Sequence, residues 1–338
     1  MKRFIGVDLH KNSFTVCYMQ KKGEHDLKTF KVSPNDVEAF KKTLTKQDEV
    51  AVESTGNTGY FAREIKESVS KVRIINPIQF KIISESVKKT DEHDAVTIAS
   101  YLSKGLIPEV RMRSKDEAKL GSLIGTRDKF VKLRTTLKNK IHNILNASGI
   151  VTTKEMFTSD KALERVAAMD LDDADLFEIR IIVDQIKSLN KSIDVINKEL
   201  IDRGKKLDGH KGLTSITGIG DISATVLLNT IGDVDDFGDD KKLAAYFGIV
   251  PRVAVSNETS HYGKITKRGN KIARTVLVQS TLVAIRYNHY LRHFYFKLKA
   301  KKGSGKAIIA TSRKLLTIIY RTLKNDWVFE DFNKFKLA

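Results

Sequence analysis

Apolar positions along the first hundred residues come in short runs, and those further on come at helical spacing. Phe4-Ile5-Gly6-Val7-Asp8-Leu9-His10 reads as a short buried strand with one carboxylate near its C-terminal end. Phe14, Val16 and Tyr18 alternate in a second strand over 12–19. Lys21–Glu24 forms a turn, and Leu27–Val32 reads as a third strand. Ser33 before Pro34 predicts an N-cap and a helix to about Leu44. Glu49–Glu53 is a fourth strand that ends in a carboxylate, and Ser54–Gly59 turns into a helix through Ser68. Val72–Pro77 is a fifth strand, followed by helices near Gln79–Val87 and over Asp91–Lys104.

The pattern then lengthens. Arg111 to about Ser148 predicts one long helix, with Leu120, Leu123, Ile124, Val131, Leu137, Ile141 and Leu145 interleaved with Lys and Arg. An acidic connector, Met169–Asp175, leads to a second long helix over about Leu176–Leu207. In it Ile179, Ile182, Ile186, Leu189, Ile193, Ile196 and Leu200 repeat at heptad spacing. That seam either folds back on the first long helix or joins two protomers; the residues fit both. Gln279–Leu298 predicts an aromatic-rich helix, Gly303–Gly305 a linker, and Lys306–Leu323 a last helix. Three regions result: 1–110, mixed α/β; 111–208, long helices forming a hairpin or coiled coil; and 209–338, helical.

Three meandering strands, then helix, strand, helix, strand, helix is the order of an RNase H-like fold. Asp8 and Glu53 end the first and fourth strands, where open α/β sheets place their chemistry. Asp91 and Asp94, three apart at the start of a helix, share one face, with Thr90 as N-cap. Each carboxylate alone reads equally well as a turn or cap residue. Together, two like charges on one face and two strand-end acids predict a divalent cation between them. An all-oxygen set suits Mg²⁺, with Mn²⁺ also possible. Such ions can activate an attacking oxygen and stabilise a leaving one.

Charge decides the partner class. The 338 residues carry a net charge of +19, very unevenly spread. Residues 209–338 hold 22 basic against 10 acidic side chains, and between Lys241 and Lys324 the single acid is Glu258. A field that lopsided predicts a polyanion, hence nucleic acid, rather than a merely basic surface. No run of apolar residues is long enough for a transmembrane span, and no secretory signal pattern opens the chain. The lone cysteine, Cys17, excludes an internal disulfide and any cysteine metal site; a reducing, cytoplasmic setting is expected.

Two stretches in the basic region offer chemistry. Thr217-Gly218-Ile219-Gly220 lies between apolar helices and resembles a helix-hairpin-helix, in which Gly218 and Gly220 would let backbone N–H groups approach a phosphate. Ala245 to Arg274 reads as a polar loop between helices. Its Lys264, Lys267, Arg268, Lys271 and Arg274 could grip a phosphate backbone, and Ser256 or Ser260 could act as a nucleophile stabilised by those cations.

Several motifs together resemble one family. They are Gly-Val-Asp-Leu-His-Lys at 6–11, Val-Glu-Ser-Thr-Gly at 52–56, Thr-Asp-Glu-His-Asp-Ala at 90–95, Thr-Gly-Ile-Gly at 217–220, Tyr-Phe-Gly-Ile-Val-Pro at 246–251 and Lys-Ile-Thr-Lys-Arg-Gly-Asn at 264–270. Their order resembles the Piv-related, DEDD-type insertion-sequence transposases, the bridge-RNA-guided recombinases. The resemblance implies a RuvC-like domain whose acids match Asp8, Glu53, Asp91 and Asp94. It also implies a helical domain whose serine, matched by Ser256 five residues after Pro251, forms a phosphoserine link to DNA. Asn257 stands where that family usually has glycine. DNA ends and target, a non-coding guide RNA and a homo-oligomer (dimer or tetramer) are the implied partners. A plain RNase H-fold nuclease or junction resolvase, with water as nucleophile, is the alternative.

Overall fold

A computed structural model describes residues 2–77, 79–80, 90–256 and 259–329, with 254–256 and 259–262 described by backbone alone. The chain divides into two compact units, Met1–Asp116 and Glu117–Ala338.

The first unit is a mixed α/β layer structure. Its strands are β1 (Arg3–Leu9), β2 (Ser13–Gln20), β3 (His25–Lys31), β4 (Glu49–Glu53), β5 (Lys71–Ile75) and the short β6 (Glu109–Val110). They form one sheet in the order β3-β2-β1-β4-β5-β6. β1, β2 and β3 are antiparallel neighbours, whereas β1, β4 and β5 run parallel. Helices α1 (Pro34–Lys41) and α2 (Thr58–Ile65) supply the crossovers, and α3 (Asp91–Ser103) closes the unit. Ser33 caps α1, accepting the Asp36 N–H, with Pro34 in the first turn. The helix expected near Gln79–Val87 falls mostly on 81–89, outside the described residues.

The period of two sorts the strands. Ile5, Val7, Leu9, Phe14, Val16, Val50 and Val52 point to one face, where Phe40 of α1 and Phe61 of α2 complete an apolar core. Phe14 packs 5.0 Å from Phe61 and 5.5 Å from Phe40, centroid to centroid. The other face takes α3: Ala51 packs with Ile98 and Leu102, and Cys17 with Ala95 and Ala99. Gly6 permits that approach. A Cβ there would stand 2.2 Å from the Ala95 carbonyl oxygen and 2.5 Å from the Ala99 nitrogen, both backbone atoms. Gly6→Ala is therefore expected to cost about 3 kcal/mol of stability by overpacking, read as a lowered urea midpoint.

Asp48 anchors the opposite end of the sheet. It is fully buried, accepting Arg3 through Nε at 3.0 Å and a terminal guanidinium nitrogen at 2.7 Å, and the Thr45 N–H at 2.7 Å. Burial works against its charge, but these donors outweigh it and hold the carboxyl below its ordinary range. Asp48→Ala leaves Arg3 without its carboxylate, with the Thr43 carbonyl as its remaining acceptor, and is expected to cost about 3 kcal/mol near neutrality. A depressed folded-state pKa gives stability that is present above about pH 4 and lost as the pH falls through the folded value. The stability gap between wild type and Asp48→Ala therefore narrows toward acid, which urea midpoints across pH measure directly.

The second unit is helical around one hairpin. Its elements are α4 (Lys115–Ala147), α5 (Asp160–Val166), α6 (Asp173–Gly204), α7 (His210–Thr214), α8 (Asp221–Ile231), α9 (Asp240–Tyr246), β7 (Pro251–Ser256), β8 (Thr259–Ile265), α10 (Lys271–Tyr287), α11 (His289–Lys302) and α12 (Ser304–Lys324). The long helices α4 and α6 run antiparallel. Arg127 donates to Asn197, Arg134 to Asn190, and Lys140 pairs with Glu178 at 3.0 Å. Ile141, Ile144 and Leu145 share a core with Ile179, Ile182, Val183 and Ile186. Further along, Leu120, Ile124 and Leu200 join the core of α8, whose residues from Ala224 to Ile231 are all buried. α6 crosses α8 at Gly204, where a Cβ would stand 1.8 Å from the Thr225 hydroxyl.

Several boundaries differ from the sequence reading: α4 begins at Lys115 rather than Arg111, and the expected linker Gly303–Gly305 is a break at Gly303 alone, since α12 starts at Ser304. α6 begins at Asp173, not Leu176, because Asp172 caps it and Asp173 and Asp175 suit the positive end of the helix dipole. The aromatic helix is two helices, broken at the buried Asn288, whose side chain caps α11 by accepting the Leu291 N–H. The expected polar loop from Ala245 to Arg274 contains an antiparallel hairpin, with Val255 opposite Ser260 and Ser256 opposite Thr259. Among the described residues, no helix is long and apolar enough to cross a membrane.

Candidate metal centre and nucleic-acid interface

The same alternation that buries Ile5 and Val7 on one face puts Gly6 and Asp8 on the α3 face. β4 repeats it: Ala51 packs on α3, and Glu53 follows two residues later at the strand end. Because β1 and β4 are parallel, with Val7 opposite Val52, Asp8 and Glu53 emerge side by side at their carboxyl ends. α3 completes the arrangement. Thr90 caps it by accepting the His93 N–H at 3.2 Å, which sets Asp91 and Asp94 in its first turn. Without the close contact at Gly6, that turn would stand away from the sheet.

Asp8, His10 and Asp91 converge. Nε2 of His10 lies 3.1 Å from Oδ2 of Asp8 and 3.2 Å from Oδ1 of Asp91. One donor atom from each of the three lies within 4.8 Å of the others. Asp8 is 8% exposed, and its Oδ2 is buried without a partner in hydrogen-bond geometry. Burial pushes the Asp8 carboxyl above the ordinary carboxylate range; the His10 imidazole opposes this, and the fields of Asp91 and Asp94 add to it. Burial lowers the His10 imidazole, but Asp8 and Asp91 outweigh it, so its pKa is raised. An orphaned buried carboxylate oxygen beside a second acid fits a divalent cation, which would satisfy both.

A short loop fixes the two strand ends. The Thr58 hydroxyl accepts the Thr55 N–H at 2.8 Å and donates to the Glu53 carbonyl at 2.5 Å. The Asn57 amide donates to the carbonyls of His10 and Lys11, at 3.4 and 3.2 Å. His10, Asn57 and Thr58 were not singled out from sequence. His10 had a signal: it stands two residues beyond Asp8, so an extended chain returns it to the same side. Asn57 and Thr58 act through backbone carbonyls, which no side-chain pattern announces.

In the second unit the basic stretch is held by backbone contacts. Lys267 N–H donates to the Gly248 carbonyl at 3.0 Å, and Thr266 N–H to Val250 at 2.9 Å. Lys267 adopts φ +55, and Gly248 and Gly269 also have positive φ. Lys264, Lys267, Arg268 and Lys271 are exposed around this clamp. Lys271 opens α10, whose cap Asn270 accepts the Ile272 and Ala273 N–H groups. Arg274 is half-buried and donates to the Phe247 carbonyl at 3.0 Å, so it holds the clamp together. Gly218 (φ +100) sits against α10, where a Cβ would stand 2.7 Å from the Ser280 carbonyl. Gly220, the exposed N-cap of α8, has open space around it. Ser256 ends β7 at the hairpin turn, and Ser260 lies one rung inside.

Comparison with known proteins finds two family matches, the first of which runs from the first unit through α4. Residues 5–149 match a model of the IS110-type DEDD transposase, and residues 210–296 match the transposase IS116/IS110/IS902 family. The chain belongs to the IS110 family of insertion-sequence transposases. It is similar to the pilin gene-inverting protein of Moraxella bovis, 28% identical over 348 aligned positions that cover 97% of this chain and 98% of that one. The transposase of insertion sequence element IS1111A from Coxiella burnetii is 24% identical over 328 positions, covering 95% and 89%. That of IS1328 from Yersinia enterocolitica is 28% identical over 290 positions, 85% of each chain. This transposase is thus an enzyme that cuts and rejoins DNA. Its DEDD match spans Asp8, Glu53, Asp91 and Asp94 together.

Proposed function

We propose that this transposase works by Mg²⁺-dependent phosphoryl transfer, with a RuvC-like, RNase H-like first unit and a serine nucleophile on the second. The observation that supports the reading is the convergence of Asp8, His10 and Asp91 around a buried carboxylate oxygen of Asp8, with Asp94 in the same first turn of α3 as Asp91 and Glu53 at the end of the neighbouring strand. Asp8, Glu53, Asp91 and Asp94 would hold the ion, with Mn²⁺ as the other candidate. When bound, such an ion activates the attacking oxygen and stabilises the leaving one. Asp8 is suited to this by its partial burial, which strengthens its pull on a cation.

The Ser256 hydroxyl loses its proton and its oxygen attacks the scissile phosphorus. A phosphoserine bond forms as the bond to a deoxyribose oxygen breaks, and that oxygen takes up a proton. The match of Pro251 to Ser256 with the family spacing supports this assignment over Ser260. Exposed Lys264, Lys267, Arg268 and Lys271, and the open backbone at Gly220, suit them to phosphate contact. Gly218 and Arg274 serve that surface by holding its helices and loop. A non-coding guide RNA from the same element would let a protein that grips backbones still choose a sequence. The working form is a homo-oligomer, dimer or tetramer, acting on nucleoid DNA in the cytoplasm.

The test is a denaturing gel of the protein with DNA carrying the element's ends, the transcript of its flanking non-coding sequence, and Mg²⁺. A covalent protein–DNA band that needs the metal is expected. Metal-dependent cleavage with no such band would replace this reading with a nuclease or junction resolvase that uses water.

A further inference from the structure

We propose that His10 supplies a nitrogen ligand to the cation held by Asp8 and Asp91, which tilts this centre from Mg²⁺ toward a transition metal. The inference rests on the metal-centre reading above and extends it from an all-oxygen set to a mixed one.

The geometry points there in three ways. Nε2 of His10 is 3.1 Å from the Asp8 oxygen and 3.2 Å from the Asp91 oxygen. Adjacent donors around an octahedral ion with bonds of about 2.1 Å stand about 3.0 Å apart, so these separations are nearly those of neighbouring ligands. Second, the Asp8 oxygen that faces Nε2 is buried and makes no other hydrogen bond among the described residues. Third, the backbone of His10 is tied down on both sides. Its N–H donates to the Ser13 carbonyl at 2.9 Å, and its own carbonyl receives the Asn57 amide. The fold thus fixes where the ring starts, although the side chain is 50% exposed and adds nothing to a core. Pre-setting a ring in that way serves ligation better than packing. Imidazole is a softer donor than carboxylate or water, so its presence favours first-row transition metals over Mg²⁺.

Mn²⁺ is the probe, because its bound nitrogen ligands are visible by pulsed electron paramagnetic resonance. Wild-type protein with one equivalent of Mn²⁺ should show ¹⁴N modulation, which changes to the ¹⁵N pattern when the protein carries ¹⁵N-histidine. His10→Gln should lose it, whereas His93→Gln should keep it. The Mg²⁺ concentration that displaces half the Mn²⁺ should fall about tenfold or more in His10→Gln. If His10→Gln fails to fold, the other two samples still decide: a pattern that ¹⁵N-histidine leaves unchanged in the wild type, or one that is lost in His93→Gln, would overturn the proposal. Bound Mn²⁺ without nitrogen modulation would also overturn it while leaving the carboxylate centre standing. No Mn²⁺ binding at millimolar concentration would overturn the centre itself.

Discussion

Asp8→Asn is expected to lower metal-dependent DNA cleavage about 1,000-fold, roughly 4 kcal/mol of transition-state stabilisation. The substitution keeps the shape of the side chain and removes its charge where the charge has least competition from water. Asp8 is nearly buried at the end of β1, and Asp91 and Asp94 raise the cost of ionising it. Without a cation, that cost falls on the fold. A carboxyl whose folded-state pKa is raised weakens the fold once the pH exceeds its ordinary value, and stability returns as the pH falls through the folded value. Asp8→Asn should therefore raise the thermal midpoint of the metal-free protein at neutral pH while it lowers activity. Opposite movement of stability and activity marks a group kept for chemistry. A fall in both, measured by calorimetry beside the cleavage assay, would mean that Asp8 matters to this unit as a structural residue.

How much of this could be read from the chain differs between the two units. In the first, strand and helix order followed from period-two patterning and from Ser33-Pro34, and Asp8 and Glu53 stand at the strand ends because the alternation is strict. What alternation could not give is the approach of α3. That depends on the missing Cβ of Gly6, and a glycine in a strand reads equally as a weakness or a bend. His10 escaped notice for a related reason: a polar residue after a strand looks like the start of a turn until its distance to Asp91 is known. In the second unit the hairpin at Pro251–Ile265 was hidden by its own chemistry. Val253 and Val255 do alternate with Arg252, Ala254 and Ser256, but over too few residues to signal a strand, and the partner stretch Thr259–Ile265 carries no apolar alternation at all. Gly218, expected to face phosphate, also admits the backbone of α10, a role legible only from its positive φ and the nearby Ser280 carbonyl.

Ser256→Ala carries the second large effect. The proposed phosphoserine bond has no other oxygen to form through, so the covalent band should vanish. Strand cleavage should drop by about 1,000-fold or more, as for loss of a covalent nucleophile generally. Ser256 sits at the last pair of the hairpin and Ala tolerates extended backbone, so the second unit should keep its stability and its affinity for DNA. Ser260→Ala, one rung further in and opposite Val255, should keep the band. Loss of the band in Ser260→Ala with retention in Ser256→Ala would move the nucleophile to the other strand of the hairpin. Equal cleavage by both variants and the wild type would give the attack to water.

The measurement that bears most directly on the central claim asks whether the acidic centre and the serine serve one step. Covalent protein–DNA adduct is quantified for wild type with Mg²⁺, wild type with chelator, and Asp8→Asn with Mg²⁺. The account predicts adduct in the first alone. Adduct at wild-type yield in either of the others would contradict it, because the serine would then react without the cation that Asp8 holds.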